Sequence, residues 1–383
     1  MSYYPSAEGE SIVIDVGTGI VKAGFAGHDA PDCTFDTQGS HLETSGNLSP
    51  KSGPKDSSEV LGSTKLPVPL RRGVVQDWDS MTAVWNRCFE DELRVDPDAA
   101  GTPVLITDAP LSSKQSREKS AEIMFEHFKV PGLYIANQTV LSLYACGKTR
   151  GLVVEVGEGA TYSVPVFEGF ALPHASTTLP LAGGDLTAYL RSMLKDRGHA
   201  FKNSIAHTAI IRGIKESLCA VSDNYEHDVL TDKSEYAYEL PDGTALNIDA
   251  RCRYSVGEAL FKPSTVKGKT KLNSNNSPNE VGIADIALES ISQCDSDLQP
   301  DLRSSIILSG GTSLLNGLKS RMQSEMEKRC GGEPVEVVVD SQRKYASWIG
   351  GSMFASLGTF EQIYVTRQEY EDSGPSVMHR KCF

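Results

Sequence analysis

The stretch IVIDVGTG, residues 12–19, returns in altered form as LVVEVGEG, residues 152–159. Each copy runs from a short apolar strand through a carboxylate into Val-Gly-x-Gly. Asp15 corresponds to Glu155, Gly17 to Gly157 and Gly19 to Gly159. Glycine adopts backbone conformations closed to other residues and lets N–H groups come close to phosphate oxygens. One such turn alone reads most simply as the corner of a β-hairpin. Two at matching strand ends, each preceded by an acid, point to related halves closing on one polyphosphate. Asp15 and Glu155 are then candidates to hold a hydrated Mg²⁺, which keeps several waters and leans on few carboxylates. As plain strand-end acids they would instead accept from local amides.

Two other phosphate motifs are excluded. A dinucleotide fold needs G-x-G-x-x-G opening a helix, but Gly19 is followed by Ile20, Val21, Lys22 and Ala23. The Walker pattern G-x-x-x-x-G-K-[ST] is absent. Lys22 lies on the outgoing strand, within reach of a phosphate; otherwise it is a solvated strand lysine. A third glycine signal, SIILSGGTSLLNG at 305–317, reads as strand, Gly310-Gly311-Thr312 turn, then helix. A helix N-terminus there would suit ligand contact.

Outward from these turns the pattern alternates. Asp77 to Arg94 carries Met81, Val84, Trp85 and Cys88 at helical spacing. VLITD and LYIA read as buried strands, Ser113 to Phe128 and Gln138 to Gly147 as helices. Asp185 to Lys195 is amphipathic, with Leu186, Tyr189, Leu190, Met193 and Leu194 on one stripe. Ala209 to Val221 reads as a helix and YELPDGTALNI as a hairpin over Asp-Gly. The polar stretches 38–58 and 265–280 read as exposed loops. The class is α/β, and 383 residues suffice for two domains with full cores.

A formal net charge of −13 argues against broad nucleic-acid or anionic-membrane binding. No apolar run is long enough to span a bilayer, and the N-terminus lacks the features of a signal peptide. The eight cysteines are scattered without a C-x-x-C, so free thiols in a reducing compartment, the cytosol, are expected. Cys382, next to the last residue, is expected to be the most exposed and reactive.

With these turns in place, the whole chain resembles the actin family. IVKAGFAG, NQTVLSLYACG, EGFALPHA, LPLAGGDLT, IKESLC, YELPDG, LSGGTSL, RKYASWIGGS and the ending HRKCF each resemble actin at the matching place. The resemblance implies the actin-like ATPase fold: two related α/β domains, four subdomains, and ATP or ADP with Mg²⁺ or Ca²⁺ in a central cleft. Subdomain 1 would comprise 1–33, 71–146 and 346–383; subdomain 2, 34–70 with the loop 38–58; subdomain 3, 147–182 and 265–345; subdomain 4, 183–264. By position, Gly17, Thr18, Gly19 and Lys22 would bind phosphate from the first hairpin, and Gly157, Glu158 and Gly159 from the second. Asp15 and Glu155 would face the metal's waters, and Gln138 would orient the attacking water at the hinge. Lys215 and Glu216 would hold the ribose and adenine side, with Gly310, Gly311, Thr312 and Lys344 completing the nucleoside pocket. A partner cleft would lie at Tyr144, Ala145, Gly147, Thr149, Gly169, Leu357 and Phe360, where actin-binding proteins dock amphipathic helices.

The departures from the family pattern bear on activity. Glu155 stands where actins have Asp, and Tyr162 where they have His. A phenol titrates near pKa ~10 and is a poor proton relay at neutral pH. Val16 replaces an asparagine, Val156 a serine expected at the γ-phosphate, and Leu315 a tyrosine beside the adenine. Weak or lost ATPase activity is therefore expected. Polymer contacts change too: Leu42 and Leu48 sit in a polar 38–58 loop, and Lys267, Lys269 and Lys271 replace an apolar plug. A charged interface core is unfavourable. Arg72, Gly184 and Ala188 also depart from the pattern. The resemblance implies a divergent cytoskeletal protein of the cytoplasm, with impaired filaments; nucleus or cilium are further locations it allows. The alternative is a non-polymerising subunit of a larger dynein-associated, dynactin-like or chromatin complex. A small-metabolite kinase of the same superfamily is a distant third.

Overall fold

The computed structural model describes residues 10–38, 68–266 and 281–382. Leu42, Leu48, Lys267, Lys269, Lys271 and nearly all of the two polar loops lie outside the described residues. The strands are β1 Ile12–Val16, β2 Ile20–Phe25, β3 Cys33–Asp36, β4 Leu70–Arg71, β5 Val74–Val75, β6 Val104–Asp108, β7 Gly132–Asn137 and β8 Gly151–Val156. They continue as β9 Thr161–Phe167, β10 Phe170–Ala171, β11 Thr177–Leu179, β12 Tyr236–Glu239, β13 Ala245–Ile248, β14 Ile306–Ser309, β15 Val337–Val339 and β16 Val365–Thr366.

Two sheets share one plan. The first has the order β16-β7-β6-β1-β2-β3, the second β10-β9-β8-β14-β15 with β11 on β9. In the first, the hairpin β1–β2 is antiparallel and β6 and β7 follow in parallel. In the second, the hairpin β8–β9 is antiparallel and β14 and β15 follow in parallel. The repeat seen in the glycine turns is therefore a repeat of the whole strand arrangement.

The central strands are covered on both faces, so they read as continuous apolar runs. Ile12 and Ile14 pack with Ile106 and Ile135 on one side, while Val13 packs with Leu105 and Trp348 on the other. Leu152 and Val154 pack on the helix Gly183–Asp196, and Val153 packs with Leu143. The helix Gln138–Ala145 lies between the two sheets. Leu141 packs toward the first and Leu143 toward the second. Asn137 caps this helix by accepting from the Thr139 N–H at 3.0 Å, which puts Gln138 directly at the end of β7.

Boundaries differ from expectation where tertiary packing overrides local pattern. The Asp77–Arg94 segment is an α-helix only over Trp78–Asn86 and turns π-helical over Arg87–Leu93. The Ser113–Phe128 segment divides in the same way at Ile123. The helix expected at 209–221 runs Ile205–Leu218, opened by the Ser204 cap. After β14 no long helix opens at the glycines. Gly311–Leu314 forms a 3₁₀ turn, and the helix starts at Leu318. Cys382 is buried rather than exposed, its sulfur accepting from the Ile135 N–H at 3.4 Å. No helix among the described residues is long and apolar enough to cross a membrane.

A candidate nucleotide cleft between the two sheets

The two glycine turns meet across a cavity of about 240 Å³ between the sheets. A Cβ on Gly159 would run into the Thr18 side chain, and one on Gly19 would press on Glu158. Gly19 and Gly159 are thus glycine because each turn comes close to the other. Gly17 and Gly157 instead give their N–H groups to the Ile20 and Ala160 carbonyls of their own turns, at 3.1 and 3.2 Å. The cavity wall carries Asp15, Gly17, Thr18, Gly19 and Lys22 from one side. From the other it carries Glu155, Gly157, Glu158, Gly159, Gly310, Gly311 and Thr312. Gln138, Tyr162, Lys215, Glu216 and Lys344 also face it. All the candidates for catalysis, nucleotide and metal are brought together.

The acids differ in their surroundings. Asp15 accepts from Lys22 Nζ at 2.6 Å and from Thr107 Oγ1 at 2.6 Å. Thr107, on β6, was not a sequence candidate, because nothing in the chain shows that β6 lies beside β1. Glu155 is buried, and its Oε2 has no hydrogen-bond partner among the described residues. Burial, then the charge of Asp15, pushes its carboxyl up to about 7, against Lys22 and a hydrogen bond from Gln138. Two adjacent carboxylates, one with a bare oxygen, fit a hydrated divalent cation. Among the described residues no group of three or more His, Cys, Asp or Glu side chains is arranged to hold a metal directly.

Other candidates are already engaged. Lys215 is buried and donates to the Gly183 carbonyl at 2.9 Å and to Thr187 Oγ1 at 3.0 Å, with Glu158 at 3.7 Å. It anchors the start of the helix Gly183–Asp196 beneath the second turn. Thr312 donates to the Gly157 carbonyl at 2.8 Å, tying the third glycine segment to the second. Tyr162 donates to the Arg72 carbonyl at 3.3 Å. Burial, with the charges of Glu155 and Asp108, pushes its phenol up to about 12. Val16 lines the cavity, as does Leu315. Val156 does not, because its side chain is fully buried in the apolar core.

Two ionic contacts join the halves and were invisible in sequence. Arg72 bonds the Pro180 carbonyl and Asp185 Oδ1, the latter at 3.1 Å. Arg212 meets Asp36 at 2.8 Å. Thr18 Oγ1 also accepts from the Gly73 N–H at 3.2 Å.

The residues expected at a partner cleft gather around the end of the interdomain helix. Gly169 donates to the Thr149 carbonyl at 2.9 Å, and Tyr144 reaches the Gly169 carbonyl at 3.5 Å. Ala145 and Gly147 end that helix, Gly147 at φ +67°. Leu357 is 53% exposed, and Met353, which sequence reading missed, 48%. Phe360 is only 2% exposed and packs against Tyr134 and Phe354, so it supports the surface from beneath.

Two sheets of one plan, joined through a shared helix and facing each other across paired glycine turns, make a duplicated α/β fold around a cleft. The family model described as Actin matches residues 6–383, essentially the full chain, and the protein accordingly belongs to the actin family and has its two-domain α/β fold.

Proposed function

We propose that this protein binds ATP or ADP with Mg²⁺ or Ca²⁺ in the cleft and releases phosphate slowly or not at all. The observation that carries the reading is the meeting of the two glycine turns beside the bare oxygen of Glu155. Backbone N–H groups of the turns other than those of Gly17 and Gly157, which are bonded within the hairpins, would supply the donors a polyphosphate needs. A divalent cation, when bound, offsets phosphate charge. Asp15 and Glu155 would hold it through water, and Lys22 would share its charge between Asp15 and the phosphates. Gln138, tied to Glu155, is positioned to orient a water. Tyr162 keeps its proton at neutral pH and donates it in a hydrogen bond to the Arg72 carbonyl, so it offers no proton acceptor where the family has a histidine. Val16 adds no polar group beside the phosphates. Loss of one oriented transition-state group costs on the order of 10²-fold in rate.

We further infer that the surface around Tyr144, Met353 and Leu357 receives an amphipathic helix from a partner or from a second copy of the chain. Gently denaturing the purified full chain should release adenine nucleotide, and incubation with Mg-ATP and salt should give little phosphate. Finding no nucleotide, with none taken up when supplied, would overturn the proposal. Prompt phosphate release with robust pelleting would instead mark an ordinary polymerising actin.

A further inference from the structure

The cavity is closed at one end and open at the other. Under the first sheet its wall is Met81, Trp85, Ile106 and Ile135, which are only 1–6% exposed. On the side of the second half the wall is accessible. Gly311 and Glu216 are exposed, Lys344 is half-buried and Leu314 is 43% exposed. The nucleoside of a polyphosphate held at the turns would therefore extend toward Leu314 and Glu216.

This open end holds little that tells one base from another. Among the described residues no aromatic ring lines it. The aromatic members of the wall, Trp85 and Tyr162, are buried, and Tyr162 turns its hydroxyl to the Arg72 carbonyl. The backbone acceptors here already hold donors of the protein. The Gly310 carbonyl takes the Ser313 N–H at 3.1 Å, the Thr312 carbonyl the Leu315 N–H at 3.2 Å, and the Arg343 carbonyl the Gly310 N–H at 3.1 Å. The Arg343 guanidinium is engaged by the Ser313 and Asp340 carbonyls, at 3.3 and 2.7 Å, and Arg212 by Asp36 at 2.8 Å. The side chains left to face a base are Leu314, Glu216 and Lys344. A carboxylate accepts from the amino groups of adenine, guanine and cytosine alike, and an ammonium donates to any base acceptor.

We propose that the cleft takes nucleoside triphosphates as a class, gripping the polyphosphate at the turns without selecting the base. The proposal rests on the nucleotide reading above and deepens it. A site built to hydrogen-bond a ligand group rejects the analogue lacking it by ~10⁴-fold or more, whereas apolar contact alone separates ligands by only ~10–200-fold. Leu314 is partly exposed and offers contact of the second kind, at the low end of that range.

The test is displacement of a ribose-labelled fluorescent ATP analogue from the full chain by Mg-ATP, Mg-GTP and Mg-CTP. The three should compete with midpoints within about tenfold of one another. Leu314→Tyr, or Lys344→Tyr if the first misfolds, gives the base a ring to stack on and should raise the preference for ATP over CTP at least ~threefold. Competition by ATP, with GTP or CTP weaker by more than about tenfold, would overturn this inference and leave the nucleotide reading standing. An unchanged ratio of ATP to CTP in the folded ring variant would put the base elsewhere and overturn it equally. Should the analogue and all three nucleotides fail to bind, the nucleotide reading falls and this inference with it.

Discussion

Glu155 on β8 pairs directly with Tyr162 on β9, in the register position that Asp15 and Lys22 occupy on β1 and β2. The duplicated hairpins thus carry one acid opposite an ammonium and one opposite a phenol. Lys22 bonds Asp15 at 2.6 Å, whereas Tyr162 turns its hydroxyl to Arg72. The second acid has no cation in the position opposite it, and burial pushes it up to about 7 from an ordinary 4.5.

That asymmetry predicts a pH effect of definite sign. In the folded, cation-free protein Glu155 holds its proton where the unfolded chain has lost it. Stability therefore falls as pH rises through the window from 4.5 to about 7. Glu155→Gln removes this fall. In chelator the variant should be more stable than the parent by on the order of 3 kcal/mol at about pH 8 and nearly equal to it at about pH 4. Thermal melts at both pH values check this; a variant less stable than the parent at the higher pH would sink the account. With cation the order should reverse, since the site loses a carboxylate.

Tyr162→His tests the slow-hydrolysis reading. An imidazole of ordinary pKa ~6.5 can accept a proton at neutral pH where the phenol, pushed up to about 12, cannot. Phosphate release from bound ATP should rise at least ~10-fold, within the range that one oriented group supplies. Tyr162→Phe should not raise it. Equal rates in all three proteins would remove Tyr162 from the explanation.

The ionic contacts Arg72–Asp185 and Arg212–Asp36 bridge the cleft from opposite halves. Both are partly exposed, so each contributes only ~0.2–1 kcal/mol. Arg72 has φ +54°, a conformation asparagine tolerates well. The double variant Arg72→Asn with Asp36→Asn breaks both contacts without altering a residue of the cavity wall. Chase of a fluorescent ATP analogue should show release accelerated roughly two- to tenfold, and less so at high salt for the parent. An unchanged rate would mean that these two contacts do not hold the cleft shut.

The fold and the site were legible to different degrees. The duplicated turn is local, so Asp15, Glu155 and the paired glycines could be read directly from residue order. Lys215, Glu216 and Lys344 became candidates only through family resemblance, because a helix-surface lysine gives no sign of what packs on it. Thr107, Arg212 and the Arg72–Asp185 contact depend on which strands and helices become neighbours, which periodicity does not encode. Val156 differs for another reason: the resemblance puts a serine of the family at the phosphate there, whereas the valine side chain is drawn into the core.

Cys382 shows the same limit. Its place near the chain end marks it as exposed, yet it is 1% exposed, and burial pushes its thiol up to about 11. Thiolate is the reactive form. Brief alkylation of the native protein at neutral pH, read by mass spectrometry, should modify the partly exposed Cys146 and Cys330 first. Cys382 should react only after denaturation. Early labelling of Cys382 would show that the C-terminal segment leaves its seat on β7.

The seat of the shared helix rests on close backbone packing. The helices Gln138–Ala145 and Ala346–Ala355 cross at Gly350, where a Cβ would collide with the Leu141 carbonyl oxygen. Just beside this crossing a chain of hydroxyls, Ser309 to Ser142 to Ser347 at 3.0 Å each, ties β14 to both helices. A single methyl at Gly350 therefore forces the helices apart, and neither rigid backbone can yield cheaply. Gly350→Ala should destabilise the protein by about 3 kcal/mol or more and loosen the nucleotide, since Gln138 and Ser347 on these helices line the cavity. Gly358→Ala, where a Cβ meets nothing within 4 Å, is the matched control and should change stability little. If denaturant midpoints of the two variants coincide, helix contact at Gly350 is not what seats the shared helix.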